Sequence, residues 1–247
     1  MPEVTPSKYL VNAGWDDVPH LTEQAKKELM ASTPPYLRKA RSQGIPSLGS
    51  GAIYPVDEDQ ILVPPIPLPE YWPKVYGFDV GWNITAALWG AWDRDSDVVY
   101  CWSEHYMEKA EPVIHAAGIR TRGAWIRGVV DPAARGRSQV DGKNLLDSYS
   151  QAGLLLDPAD NAVEAGLLAV WDRLSTGRLK VFNTLTHFRE EYRMYRRDEK
   201  GKIVKKDDHL MDCLRYMIMS GLDIARVRPS PKVRVKRHEA GDSAVGY

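Results

Sequence analysis

The chain has 247 residues, 43% of them hydrophobic, enough to bury one core of ordinary domain size with an arm beside it. Lys and Arg total 33 and Asp and Glu total 33, so no overall field announces a polyanionic partner and any nucleic-acid site has to be local. Cys101 and Cys213 lack Cys-x-x-Cys spacing, no apolar run nears the roughly 20 residues that span a bilayer, and no signal-peptide pattern opens the chain. A soluble, cytoplasmic protein without zinc or disulfides is therefore expected.

Residues 1–70 are expected to form a connecting arm lying on the next domain. A short helix over 21–31 sits among prolines, and the segments GIPSLGSGAIYP (44–55) and VPPIPLP (63–69) favour extended backbone over a second core. The pattern becomes regular from Lys74. VYGFDV (75–80) reads as a strand ending at Gly81, and TAALWGAWD (85–93) and VVYCWSEH (98–105) as two more, joined by the polar turn RDSD (94–97) into an antiparallel hairpin. A helix over 112–120 leads to the strand WIRGVV (125–130), which stops at Asp131-Pro132. Then follow a loop rich in small and basic residues, a helix over 144–152, a short strand LLL (154–156), an amphipathic helix over 162–175 and a strand LKVF (179–182). A helical turn runs into YRMYRR (192–197), and with KIVKK (202–206) this makes a basic hairpin around Gly201. The last helix is expected over 208–225, where Met211, Leu214, Ile218 and Leu222 recur at helical spacing. Residues 71–226 thus make the main domain, an α/β three-layer arrangement of a central sheet flanked by helices, and 227–247 a basic, disordered tail.

The carboxylates each have an ordinary reading. Asp79 and Asp131 can be strand-end turn residues, and Asp207, Asp208 and Asp212 can complement the dipole of the last helix. Their conjunction points elsewhere. Phosphodiester hydrolysis by two hard cations needs carboxylates drawn from separate elements that meet at one point. If the strand at 75–80 lies beside the strand at 125–130, Asp79 and Asp131 emerge together at one end of the sheet. Asp208 and Asp212 share a face of a helix packed across it. His209 is a further donor, suited to manganese. Asp212 is expected to be the direct ligand, because its amide is bonded within the helix and both its oxygens are left free. Asp208 competes with first-turn N–H groups and takes an outer position.

At these residues a resemblance is legible. GFDVGW (77–82), GVVDP (128–132) and DDHLMDCLRY (207–216) resemble the three acidic motifs of the nuclease in the large subunit of tailed-phage terminases. WDDVPHL (15–21) and GIPSLGSGAIYP (44–55) resemble the segment joining the packaging ATPase to that nuclease, and the basic hairpin also matches. The resemblance spans residues 15–222 and implies an RNase H-like fold. It further implies an endonuclease that cuts concatemeric viral DNA in the host cytoplasm by a two-metal mechanism with magnesium or manganese. Asp79, Asp131 and Asp212 would be catalytic, with Asp208 and His209 completing the metal set. The partners it implies are double-stranded DNA, the portal protein, the terminase small subunit and a packaging ATPase domain. No base-reading motif is evident, so little sequence preference is expected.

DNA phosphates are expected at Arg135, Arg137 and Lys143 in the loop and at Arg196, Arg197, Lys202, Lys205 and Lys206 in the hairpin. GRSQVDGKN (136–144) falls short of a nucleotide-binding loop, since five residues part Gly136 from Gly142 and Asn144 replaces the magnesium-binding hydroxyl. No packaging ATPase is expected in this chain, which would be an excised nuclease domain or the product of a split gene. Two other readings compete: another RNase H-like nuclease of resolvase or transposase type, and a DNA- or portal-docking module whose acidic residues are vestigial.

Overall fold

A computed structural model describes residues 13–33, 38–44, 51–132, 145–198 and 200–229. Three helices come first, α1 (Glu23–Ser32), α2 (Arg38–Gln43) and α3 (Glu58–Ile61), then strands β1 (Leu62–Val63), β2 (Lys74–Asp79), β3 (Thr85–Asp93) and β4 (Val98–Met107). Helix α4 (Pro112–Arg120), β5 (Arg127–Val130), α5 (Leu145–Gln151), β6 (Leu156–Pro158), α6 (Val163–Ser175), β7 (Leu179–Phe182) and α7 (Thr186–Met194) follow. The last helix runs from α8 (His209–Tyr216) through a π-helical turn, Met217–Gly221, into α9 (Leu222–Ile224). The loop residues Arg135, Arg137 and Lys143 and most of the expected tail lie outside the described residues. Among those described, no helix is long and apolar enough to cross a membrane.

The strands form one seven-stranded sheet in the order β1-β7-β4-β3-β2-β5-β6. Only β3 opposes its neighbours, pairing antiparallel with β2 and β4, while β2–β5, β5–β6, β4–β7 and β1–β7 are parallel. Side-chain alternation divides the core accordingly. Val75, Ala86, Leu88 and Val99 pack with Leu167, Phe188, Leu210 and Leu214 from α6, α7 and α8 on one face. Tyr76, Phe78, Ala87 and Trp89 pack with Ala116, Ile119 and Tyr149 from α4 and α5 on the other. Strands covered on both faces read as near-continuous apolar runs, as TAALWGAW does. The mixed sheet between two helical layers is the RNase H-like arrangement that the motifs imply.

The expected elements are present, with shifted bounds where glycine controls the backbone. Gly123 (φ 132°) turns the chain so that Ile126 N–H donates to its carbonyl, and β5 starts at Arg127 instead of Trp125. Gly153 (φ 90°) ends the α5 turn, Leu154 drops into the core, and pairing with β5 begins only at Leu156. The basic hairpin closes through one bridge, Arg197 to Ile203, with Gly201 at φ 76° in its turn. The stripe Met211, Leu214, Ile218 and Leu222 is buried as its spacing requires.

Part of the expected arm is woven into this core. Leu62 and Val63 pair with Val181 and Phe182 at the sheet edge, and Tyr54, Val56 and Ile61 are buried in the larger cluster. Glu58 receives the Nε atoms of Arg189 and Arg193, each at 2.6 Å. Burial pushes its carboxyl pKa up, but the two guanidiniums outweigh this and hold it below the usual value. The ion pairs and β1 therefore fasten residues 51–63 to α7 and β7.

Candidate metal centre

Strand parity brings the first two carboxylates together. Phe78 pairs with Val130 in parallel register, so Asp79 and Asp131 stand one residue beyond, at the same end of neighbouring strands. Asp79 shares parity with Val75 and Gly77, and Asp131 with Val129; both therefore face the layer that contains α8. Helix α8 comes close over β2 because position 77 has no side chain. A Cβ there would lie 2.6 Å from the Cys213 carbonyl carbon and closer still to its oxygen.

Along α8, His209, Asp212 and Tyr216 stand at helical spacing above this strand end. His209 Nδ1 lies 2.7 Å from Asp79 Oδ2, a bond that raises the imidazole pKa against the opposing effect of burial. Tyr216 donates its hydroxyl to Asp131 Oδ2 at 3.0 Å, and Asn161 donates Nδ2 to Asp131 Oδ1 at 3.3 Å. Asn161 in turn accepts from Arg215 at 3.0 Å, and the other Arg215 nitrogen donates to Asp212 Oδ1 at 3.0 Å. A polar chain thus runs from Asp131 through Asn161 and Arg215 to Asp212.

Two premises about the last helix need correction. Both Asp212 oxygens were expected to be free, but Oδ1 accepts from Arg215 and Oδ2 from Lys205, which lies 3.0 Å away. Asp208 was expected to meet the first-turn N–H groups, yet it makes no side-chain cap bond. Glu191 of α7 takes that place, its Oε2 accepting from Leu210 N–H at 2.6 Å and Met211 N–H at 3.3 Å. Burial pushes the Glu191 carboxyl up to about 7, against the lowering effect of those amides and of His209. Asp208 is buried and pairs with Lys205 at 3.0 Å, while Asp207 is exposed at a positive φ of 51°.

The other expected site residues are spread along the hairpin. Arg197 is held by Glu164 at 2.6 Å, Arg196 is half-buried, and Lys202 and Lys206 are exposed. Sequence reasoning did not single out Tyr216, Arg215, Asn161 or Glu191. The first two stood inside the motif at 207–216 and so carried a signal; Asn161 and Glu191 lie in no motif. Trp82, three residues past Asp79, is 65% exposed at the rim.

The donors have the right chemistry for a hard divalent cation: carboxylate oxygens on two strand ends, with a third carboxylate and an imidazole on α8. Among the described residues, no three His, Cys, Asp or Glu side chains close to metal-holding distance as they stand. The bonds just described, to His209, Tyr216, Asn161, Arg215 and Lys205, occupy them instead.

Residues 77–220 match a family model described as the terminase RNaseH-like domain. The chain is 35% identical over 231 residues to the terminase large subunit of Enterobacteria phage LP7, covering 87% of this chain and 47% of that protein. It is also 35% identical over 228 residues to the terminase large subunit of Salmonella phage P22, covering 86% and 44%. It therefore spans about half the length of these relatives. Among solved structures, the P22 large terminase nuclease domain is similar, with a TM-score of 0.67 and 32% identity over 72% of this chain and 96% of that one. The large terminase of a thermophilic bacteriophage, in complex with ADP, shares the fold at a TM-score of 0.61 and 23% identity, covering 84% of this chain and 54% of its own.

Proposed function

The chain belongs to the terminase RNase H-like domain family, and on that premise we propose that it is a divalent-metal-dependent endonuclease that cleaves concatemeric viral DNA during genome packaging. The observation that carries the proposal is the pairing of Asp79 and Asp131 at one sheet end, on the face over which α8 brings His209 and Asp212. Asp79, Asp131 and Asp212 would hold the metal, with His209 and Asp208 as accessory groups. Two bound magnesium or manganese ions would supply Lewis-acid polarisation of the scissile phosphate and an attacking water of lowered pKa.

The protein's own part is to fix these donors. His209 orients Asp79, and Tyr216 and Asn161 together hold both oxygens of Asp131. Asp79, at the end of β2 beside Asp131 and beneath α8, would be the carboxylate that adjoins the donors of both the strand side and the helix side. Glu191 anchors the start of α8 and so sets the height of His209 over the sheet. The portal protein, the small subunit and a packaging ATPase domain are the proposed partners, in the cytoplasm of the infected host.

Nicking of supercoiled plasmid by the folded chain tests the proposal: conversion with magnesium or manganese and none with chelator is expected. A folded chain that nicks with neither metal would support the docking-module reading, which the occupied oxygens of Asp212 also favour.

The hairpin is proposed to bind DNA phosphates. Neutralising Arg196, Lys202 and Lys206 together leaves the ion pairs of Arg197 and Lys205 intact. Each phosphate that these side chains no longer neutralise should flatten the plot of log affinity against log salt by roughly 0.9. An unchanged slope would reduce these residues to solvated charge.

A further inference from the structure

Of the two cations on Asp212, one is fixed and one is removable. Arg215 is 1% exposed, and it is shared with Asn161 and pressed under α6, where a Cβ on Gly166 would come within 2.5 Å of its Cγ. Its guanidinium cannot leave without opening the core. Lys205 lies on the hairpin side with a side chain 58% exposed, while the carboxylates it joins, Asp208 and Asp212, are 10% and 13% exposed. Its ammonium is 3.0 Å from Asp208 Oδ2 and 3.0 Å from Asp212 Oδ2, a single point charge bridging two acids one helical turn apart. Two neighbouring carboxylates with so little exposure are costly unless a cation neutralises them.

We propose that Lys205 is the resident cation of the Asp208–Asp212 pair, occupying the α8 side of the metal centre until a divalent ion displaces it. The inference rests on the metal-dependent reading and goes beyond it. On the strand side, Asp79 meets the imidazole of His209, itself a group that can ligate a metal. On the helix side, the acid pair meets an ammonium, which cannot ligate while it keeps its proton and charge. The helix side therefore takes an ion only in exchange for Lys205. The released ammonium, on a hairpin beside Lys206 and Lys202, is then available to a DNA phosphate. Phosphate binding and occupation of the helix side consequently favour one another.

Manganese binding to the intact chain without DNA tests this, with free ion counted by its paramagnetic resonance and heats measured by calorimetry. Lys205→Met, with Lys205→Gln as a second variant, should tighten the weaker manganese site by about fivefold or more, the scale of one nearby unit charge. Both variants should melt earlier than the unaltered chain in chelator and gain more in melting temperature from manganese. Lys200→Met, which removes an exposed charge in the hairpin turn outside the pair, should leave both affinities unchanged. Equal affinities in the Lys205 variants and the unaltered chain, or an equal gain in Lys200→Met, would overturn the assignment of Lys205. Asp79→Asn should lose the tighter site; if it binds manganese as the unaltered chain does, the metal reading itself fails, and the Lys205 proposal with it. If Asp79→Asn loses that site and the Lys205 variants behave as the unaltered chain, the metal reading stands and the Lys205 proposal alone fails.

Discussion

Asp79→Asn should lower metal-dependent nicking on the order of 1,000-fold, roughly 4 kcal/mol of transition-state stabilisation, with little change in melting temperature. The amide has the shape of the carboxylate and keeps an oxygen that can accept from His209, so the strand end and its contact with α8 survive. What disappears is the negative charge at the place where β2 meets both β5 and α8. Initial rates on supercoiled plasmid in magnesium and in manganese, with circular dichroism melts alongside, measure both effects. A second readout is internal. Because the hydrogen bond to Asp79 is the largest cause of the raised His209 pKa, the imidazole should titrate at lower pH in the variant. A rate within about tenfold of the unaltered chain would end the assignment of Asp79 to the reaction.

Gly77→Ala should be among the most destabilising single-methyl additions in this protein. The new Cβ would sit 2.6 Å from the Cys213 carbonyl carbon, against helix backbone that cannot swing aside as a side chain can. Either α8 retreats from β2 or the strand bows. Overpacking a core costs about 1–3 kcal/mol, and a backbone obstacle places this site at or above the upper end. For a domain of this size, about 3 kcal/mol corresponds to a fall in melting temperature of roughly 6–12 °C. The same retreat would draw His209 away from Asp79 and Tyr216 from Asp131, so nicking should fall even at temperatures where the variant is folded. Denaturant unfolding and plasmid nicking at low temperature check the two parts. A destabilisation under about 1 kcal/mol would mean that the helix does not depend on this glycine for its approach.

Much of this arrangement could be read along the chain, because the signals involved are local. A period of two in VYGFD fixes which face each side chain takes, and it assigns Asp79 to the face of Val75 and Gly77 without reference to any partner. The hairpin of β3 and β4 follows from a polar turn between two apolar runs, and the stripe of Met211, Leu214, Ile218 and Leu222 follows from helical spacing. The motifs at 77–82, 128–132 and 207–216 carried the family, which residues 77–220 bear out.

What only the tertiary structure decided concerns partners distant in sequence. β1 is two residues long, follows α3 directly and runs into Pro64-Pro65, too short for any periodicity, and it is a strand only because β7 offers it an edge. The amides that open α8 are met by Glu191, 19 residues upstream of Leu210, and not by the nearby Asp208. Asp212 looked unencumbered by helix geometry alone, yet Lys205 and Arg215 take its two oxygens. Arg215 is only three residues from Asp212, but it is held there by Asn161, 54 residues away, and by the lack of a side chain at Gly166. Alternation and helical spacing determine the direction in which a side chain leaves its own backbone. Which charge waits there depends on how separate elements pack, and no local pattern encodes that packing.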